Sequence, residues 1–270
     1  MKIVVFDLDE TLGYFTQLSM FWYCLENYIN ISKKNSNNNT HLTQSDFNHI
    51  LDLYPEYLRP NIINVLTYLK KRKHSKCCHK MMIYTNNTGS KEWSDKIISY
   101  FEKKINYKLF DQVISAFKIN GKIIEVCRTT HHKTYDDFIK CTKLPLNAEI
   151  CFIDDTFYPE MTNDNIYYIN VKPYYHDLSF EEIISRFKTS QIGKKIIQTN
   201  AINQFEILMM ENLKKYNYDC LKKDPKEHEI DVIITKYLMT HLQDFFKKSN
   251  KNTTIKNKKQ NMKNITFKNN

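Results

Sequence analysis

Residues 3–12 read Ile-Val-Val-Phe-Asp-Leu-Asp-Glu-Thr-Leu, four apolar residues running straight into two aspartates spaced i, i+2. A short, wholly apolar run rich in β-branched and aromatic residues reads as a strand buried on both faces, as in the interior of a parallel sheet. Side chains two apart on a strand share a face, so Asp7 and Asp9 stand side by side where Ile3–Phe6 leaves the sheet. Carboxylates that close raise one another's pKa unless a cation lies between them. The opening motif therefore demands a compensating positive charge. The stretch "AEICFIDD" (148–155) repeats the pattern and ends in Asp154 and Asp155, while "MMIYTNN" (81–87) is a buried run that turns polar at Thr85.

Between these strands the apolar period becomes helical. "YFTQLSMFWYCLENYI" (14–29) has roughly helical spacing, and the polar, Asn-rich 32–40 follows as a loop. Residues 43–58 suggest another helix. Pro60 suits the first turn of the next, whose stripe is Ile62, Ile63, Leu66 and Leu69. Ser90 opens a helix through Trp93, Ile97, Phe101 and Ile105. Asn120-Gly121, flanked by alternating apolar residues, predicts a hairpin with a type I′ turn. Thr134 with Asp137, and Ser179 with Glu182, are helix N-cap signatures, and "NIYYINV" (165–171) is a further strand. Strands alternating with helices predict an α/β fold, a Rossmann-like doubly wound parallel sheet. The expected organisation is one α/β domain over 1–187 with a helical insertion at about 14–58. A helical extension over 188–248 follows, with one long helix from Ile196 to Leu213 and a second from Ile230 to Phe245. Residues 249–270 are expected to be a basic, disordered tail.

The chain of 270 residues carries a formal charge of +10, and six of its lysines fall in the last twenty-two residues. That surplus invites an acidic partner such as nucleic acid. However, abundant Lys, Asn, Ile, Tyr and Phe with only four Gly is also the signature of AT-rich coding. Nucleic acid is therefore not the expected principal partner, and any such contact would run through the tail. Seven cysteines without framework spacing read as reduced thiols. No apolar stretch approaches eighteen residues, and Asp7 interrupts the N-terminal run too early for a signal peptide. The expectation is a soluble intracellular protein, cytoplasmic or nuclear, with no membrane partner.

In a parallel sheet the C-terminal strand ends converge on one crevice, which would gather Asp7, Asp9, Thr85, Asp154 and Asp155. Four carboxylates there call for a hard cation with oxygen ligands, most naturally Mg²⁺, which commonly bridges protein carboxylates to phosphate. The residues "FDLDET", "YTNN", a later lysine and "FIDD", taken in order, resemble the four motifs of the haloacid-dehalogenase-like phosphatase superfamily. The narrower likeness is to its NLI-interacting-factor-like, or C-terminal-domain phosphatase, branch, through Asp7–Leu12 and the Arg59-Pro60 pair.

The resemblance implies roles for individual residues. Asp7 is the nucleophile. Asp9 is the general acid and base and also offers its carbonyl to Mg²⁺. Thr85 and Asn86 bind the phosphoryl oxygens, with Thr11 nearby in the substrate site. Asp154 and Asp155 complete the metal site with Asp7 and Asp9. The required lysine is Lys133, just ahead of a helix start, with Lys122 and Lys143 as alternatives. The implied substrate is a phosphoprotein serine or threonine. A small phosphorylated metabolite follows instead if 14–58 caps the crevice, and a catalytically silent scaffold is the reading of another class. His74, Cys77, Cys78 and His79 suggest zinc only weakly, because adjacent cysteines fit ordinary ligand spacing poorly. Phe21, Trp22 and Tyr23 read as core, Arg59 as structural, Arg128 as a surface residue with contact to the substrate phosphate as the alternative, and His131-His132 as a loop at the site's rim.

Overall fold

In the computed structural model residues 1–34 and 41–247 are described; the Asn-rich run at 35–40 and the expected basic tail lie outside the described residues. The strands are β1 (Lys2–Phe6), β2 (Lys80–Tyr84), β3 (Gln112–Ile114), β4 (Lys118–Ile119), β5 (Lys122–Ile123), β6 (Glu149–Asp154) and β7 (Ile166–Asn170). The helices are α1 (Thr16–Lys34), α2 (Gln44–Leu53), α3 (Ile62–His74), α4 (Lys91–Ile105), α5 (Tyr135–Thr142), α6 (Phe180–Thr189), α7 (Gln191–Ile196), α8 (Ile202–Lys214) and α9 (Pro225–Lys247). Among the described residues, no helix is long and apolar enough to cross a membrane.

The chain is α/β, with two compact units. The first comprises Met1–Gly13, Arg59–Tyr174 and the chain from Lys226. Its centre is a five-stranded parallel sheet of order β3-β2-β1-β6-β7. The chain winds outward from β1 to β3, then crosses to β6 and β7 on the other side. The direction of winding therefore reverses between β1 and β6, and at such a switch point open α/β sheets bind their ligands. Ile3, Val5, Met82, Tyr84, Ile150 and Phe152 line one sheet face with no exposure and pack with Phe138 of α5. Val4, Phe6, Met81, Ile83, Cys151 and Ile153, alternating with them, are equally buried. Burial on both faces explains why these strands read as continuous apolar runs.

The second unit comprises Tyr14–Leu58 and Tyr175–Pro225. Its core is aromatic: Phe21 meets Phe187 at 5.2 Å, Trp22 meets Phe47 at 5.2 Å, and Tyr28 meets Phe205 at 4.9 Å between ring centroids. Gln17, fully buried, donates to the Leu178 carbonyl at 2.8 Å and accepts from the Leu178 amide, also at 2.8 Å.

Several local expectations match. Asn120 and Gly121 both have positive φ in the β4–β5 turn, and the Thr134 and Ser179 side chains accept from the amides of Asp137 and Glu182. Phe21 and Trp22 are core, whereas Tyr23 is exposed. Other expectations need correction. The long helix from 196 to 213 is broken by a short 3₁₀ turn between α7 and α8. The expected pair of C-terminal helices is divided between the units: α8 falls in the second, while α9 packs in the first through Tyr167–His241 at 2.8 Å and Tyr68–Phe246. Helix α1 runs on to Lys34, so residues 32–34 of the expected loop are helical. The cysteines are not all reduced. Cys127 and Cys141 are disulfide-bonded, because the end of α5 returns to the start of the segment leading into it, with Cα atoms 5.0 Å apart. Arg128 is buried at 2% exposure.

Candidate active site

The register of the central strands builds the site. Phe6 is level with Ile153 and with Ile83, so the next residues, Asp7, Asp154 and Tyr84, are level with one another. Asp7 extends the Ile3–Val5 series and Asp154 the Ile150–Phe152 series on the same sheet face. Between the two carboxylates lies Lys133, whose Nζ donates to Asp7 Oδ1 at 2.5 Å and to Asp154 Oδ2 at 2.6 Å. This ammonium offsets part of the charge of Asp7 and Asp154, whereas Asp9 is not bonded to it.

All three groups are withdrawn from water, with Lys133 2%, Asp7 7% and Asp154 1% exposed. Burial raises the Asp7 and Asp154 carboxyls above the ordinary range, and Lys133 opposes that rise in both. For Lys133 itself, burial favours the neutral amine, but Asp7 and Asp154 together outweigh it and raise its pKa. The loop carrying Lys133 is pinned on its other side by Asp137, which accepts from the Thr129 amide at 2.8 Å and hydroxyl at 2.9 Å. Lys122 and Lys143 are both exposed, on β5 and at the C-cap of α5.

Asp155 is held from the β1 side. Thr11 Oγ1 donates to Asp155 Oδ1 at 2.9 Å and accepts from the Asp155 amide at 3.1 Å. Thr11, expected in the substrate site, has no exposed surface, and its hydroxyl anchors Asp155. Arg59 fixes the loop between, donating to the carbonyls of Thr11, Glu10 and Lys172 at 2.6, 2.6 and 2.8 Å. That loop holds Glu10 at φ 58°, a left-handed conformation that a non-glycine residue adopts at some cost.

Asp9 stands apart from the Lys133 pair. Its Oδ2 accepts from Asn87 Nδ2 at 2.6 Å. Burial and the neighbouring Asp7 charge push its carboxyl up to about 7, against the Asn87 hydrogen bond that favours the ionised form. Thr85 accepts from the Asn87 amide at 3.0 Å. Asn86 donates to the Tyr158 hydroxyl at 3.0 Å and accepts from Arg128 Nη2 at 2.8 Å. Asn87, Tyr158 and Arg128 are parts of the site that the sequence reading did not assign. Asn87 lay within reach, as the last polar residue of the run that ends β2.

The donor set suits a hard divalent cation. Asp7, Asp154 and Asp155 each offer a carboxylate oxygen, all within 4.8 Å of one another, and two of the three are buried. Four carboxylates share this edge, and among the described residues Lys133 is the only ammonium bonded to any of them. A cation with oxygen ligands would offset that excess. Asp9, whose Oδ2 accepts from Asn87, lies outside this group of three. His74, Cys77, Cys78 and His79 form no such group among the described residues. The likeness to the haloacid-dehalogenase motifs rests on the residues themselves, since no protein-family model, curated protein or solved structure matches the chain.

Proposed function

We propose that this chain is a Mg²⁺-dependent phosphatase of the haloacid-dehalogenase type, hydrolysing a phosphomonoester through an aspartyl-phosphate at Asp7. The observation that carries the reading is Lys133 held between Asp7 and Asp154 at the switch point of the sheet, with Asp155 alongside. Asp7, Asp154 and Asp155 would hold Mg²⁺, which supplies charge neutralisation for the phosphate. An Asp7 oxygen attacks phosphorus as the ester P–O bond breaks, and the leaving oxygen takes the proton of Asp9. Asp9 then accepts a proton from water as that water's oxygen attacks phosphorus. The Asp7–phosphorus bond breaks, which frees phosphate and returns Asp9 to its protonated form.

A carboxyl near 7 suits a group that must both give and take a proton at neutral pH. Lys133 and Thr85 steady the charge on the phosphoryl oxygens, the main contribution a protein makes to such a transfer. The substrate class is phosphoserine or phosphothreonine in protein, as the motif resemblance implies. Purified chain with millimolar Mg²⁺ should hydrolyse a chromogenic phosphate ester and lose that activity as Asp7→Asn. It should also prefer phosphopeptides over a panel of sugar and nucleotide phosphates. Absence of hydrolysis by the wild type on every ester would sink the proposal, and preference for the metabolites would sink its substrate class.

A further inference from the structure

Arg128 lies outside the motifs, yet its guanidinium joins the two turns that form the site. Nη1 donates to the Thr85 carbonyl at 3.2 Å and the Ser115 carbonyl at 2.8 Å. Nη2 donates to Asn86 Oδ1 at 2.8 Å and to the carbonyls of His131 and His132 at 3.1 and 3.2 Å. Nη1 thus holds Thr85, just past β2, and Ser115, just past β3. Nη2 holds Asn86 of the Thr85–Asn87 turn together with the two residues immediately before Lys133. The guanidinium also lies over the Tyr84 ring, 4.8 Å from its centroid.

The residue is 2% exposed, and all five of these acceptors are neutral. A buried cation facing only neutral acceptors is costly, and its planar fork reaches acceptors in several directions that a lysine's single point of charge cannot span. We propose that Arg128 is the positioning residue of this site. It acts through Thr85, Asn86 and the 131–132 backbone to hold Lys133 and the strand-end threonine at a fixed separation, so that both meet one phosphoryl group. The placement of Lys133 does not depend on the phosphatase reading; its catalytic consequence rests on it.

Two readouts test this. The first is acetylation of Lys133 by a soluble acylating ester, followed by mass spectrometry with exposed Lys71 as internal standard. Arg128→Gln should speed labelling of Lys133 relative to Lys71 by about tenfold or more as its loop is released. Arg128→Lys, the conservative variant should Arg128→Gln fold poorly, should show a smaller rise in the same direction. The second is a double-mutant cycle on p-nitrophenyl phosphate with Mg²⁺. Arg128→Gln should lower kcat about 10²-fold with little change in KM, the scale of an ångström-level misplacement. In a Lys133→Ala background the same change should cost far less, because its target is already gone. Unchanged protection of Lys133, multiplying losses in the double variant, or full activity in Arg128→Lys would each overturn the proposal. A wild type that hydrolyses no ester refutes the phosphatase reading, and the labelling result then decides the role of Arg128.

Discussion

Lys133→Met removes the positive charge between two buried carboxylates and keeps most of the side chain's volume. Lys133 Nζ is 2.5 Å from Asp7 and 2.6 Å from Asp154, and both acids are under 10% exposed, so water cannot replace it. Removing one partner of a buried pair typically costs about 3–5 kcal/mol. In a domain of this size that corresponds to a fall in Tm of roughly 6–20 °C. The penalty should grow with pH. The ammonium's pKa is raised by Asp7 and Asp154, so its own contribution is constant well below about 10.4. The carboxyls, raised further without it, stay protonated in the fold and ionise in the unfolded chain as pH climbs. Urea titrations of metal-free protein at pH 5 and pH 8, in a Trp22→Phe background, would leave Trp93 of α4 to report on the sheet unit. The variant should lose more stability at pH 8 than at pH 5 and fall about 10²- to 10³-fold in kcat. Equal stability of variant and wild type at pH 8, or a smaller loss at pH 8 than at pH 5, would refute this picture of the charge balance.

Other outcomes follow from the same geometry. Asp9→Asn should lower kcat by about 10²- to 10⁴-fold and abolish the decline in Asp7 phosphorylation that wild type shows as pH rises through about 7, seen in a rapid-quench pH series. Because the folded carboxyls of Asp9 and Asp154 are raised, the fold binds more protons than the unfolded chain above about pH 4. Metal-free protein should therefore lose stability from pH 5 to pH 8, and millimolar Mg²⁺ should restore most of it at pH 8 in thermal melts. Arg59→Met leaves three carbonyls of the Glu10 loop and Lys172 without their donor and should cost about 2–4 kcal/mol by urea titration.

The placement of the candidate site's acids was legible where they sit on strands. A two-residue period fixed which side chains share a face, so Asp7 and Asp154 could be read as neighbours before any contact was known. A lysine was expected from the motif resemblance, and the N-cap Thr134 was the local signal that singled out Lys133 from Lys122 and Lys143. What was not legible depends on loop conformation or on distant partners. Arg128 read as a surface residue because nothing nearby in sequence shows that five acceptors from three segments converge on it. The bond from the Thr11 hydroxyl to Asp155, 144 residues away, was likewise out of reach of any local signal. The pairing of Cys127 with Cys141 carries no framework spacing. The grouping of 14–58 with 175–225 follows from aromatic contacts such as Phe21–Phe187, which no local period announces.

The most direct test of the central claim is to find the phosphoryl group on Asp7. Wild type mixed with Mg²⁺ and a phosphate ester, quenched in acid and digested, should yield a phosphorylated peptide spanning Asp7. The adduct should be slow to turn over in Asp9→Asn and absent from Asp7→Asn and from protein without Mg²⁺. Hydrolysis that proceeds with no adduct on Asp7, or that survives Asp7→Asn, would contradict the account.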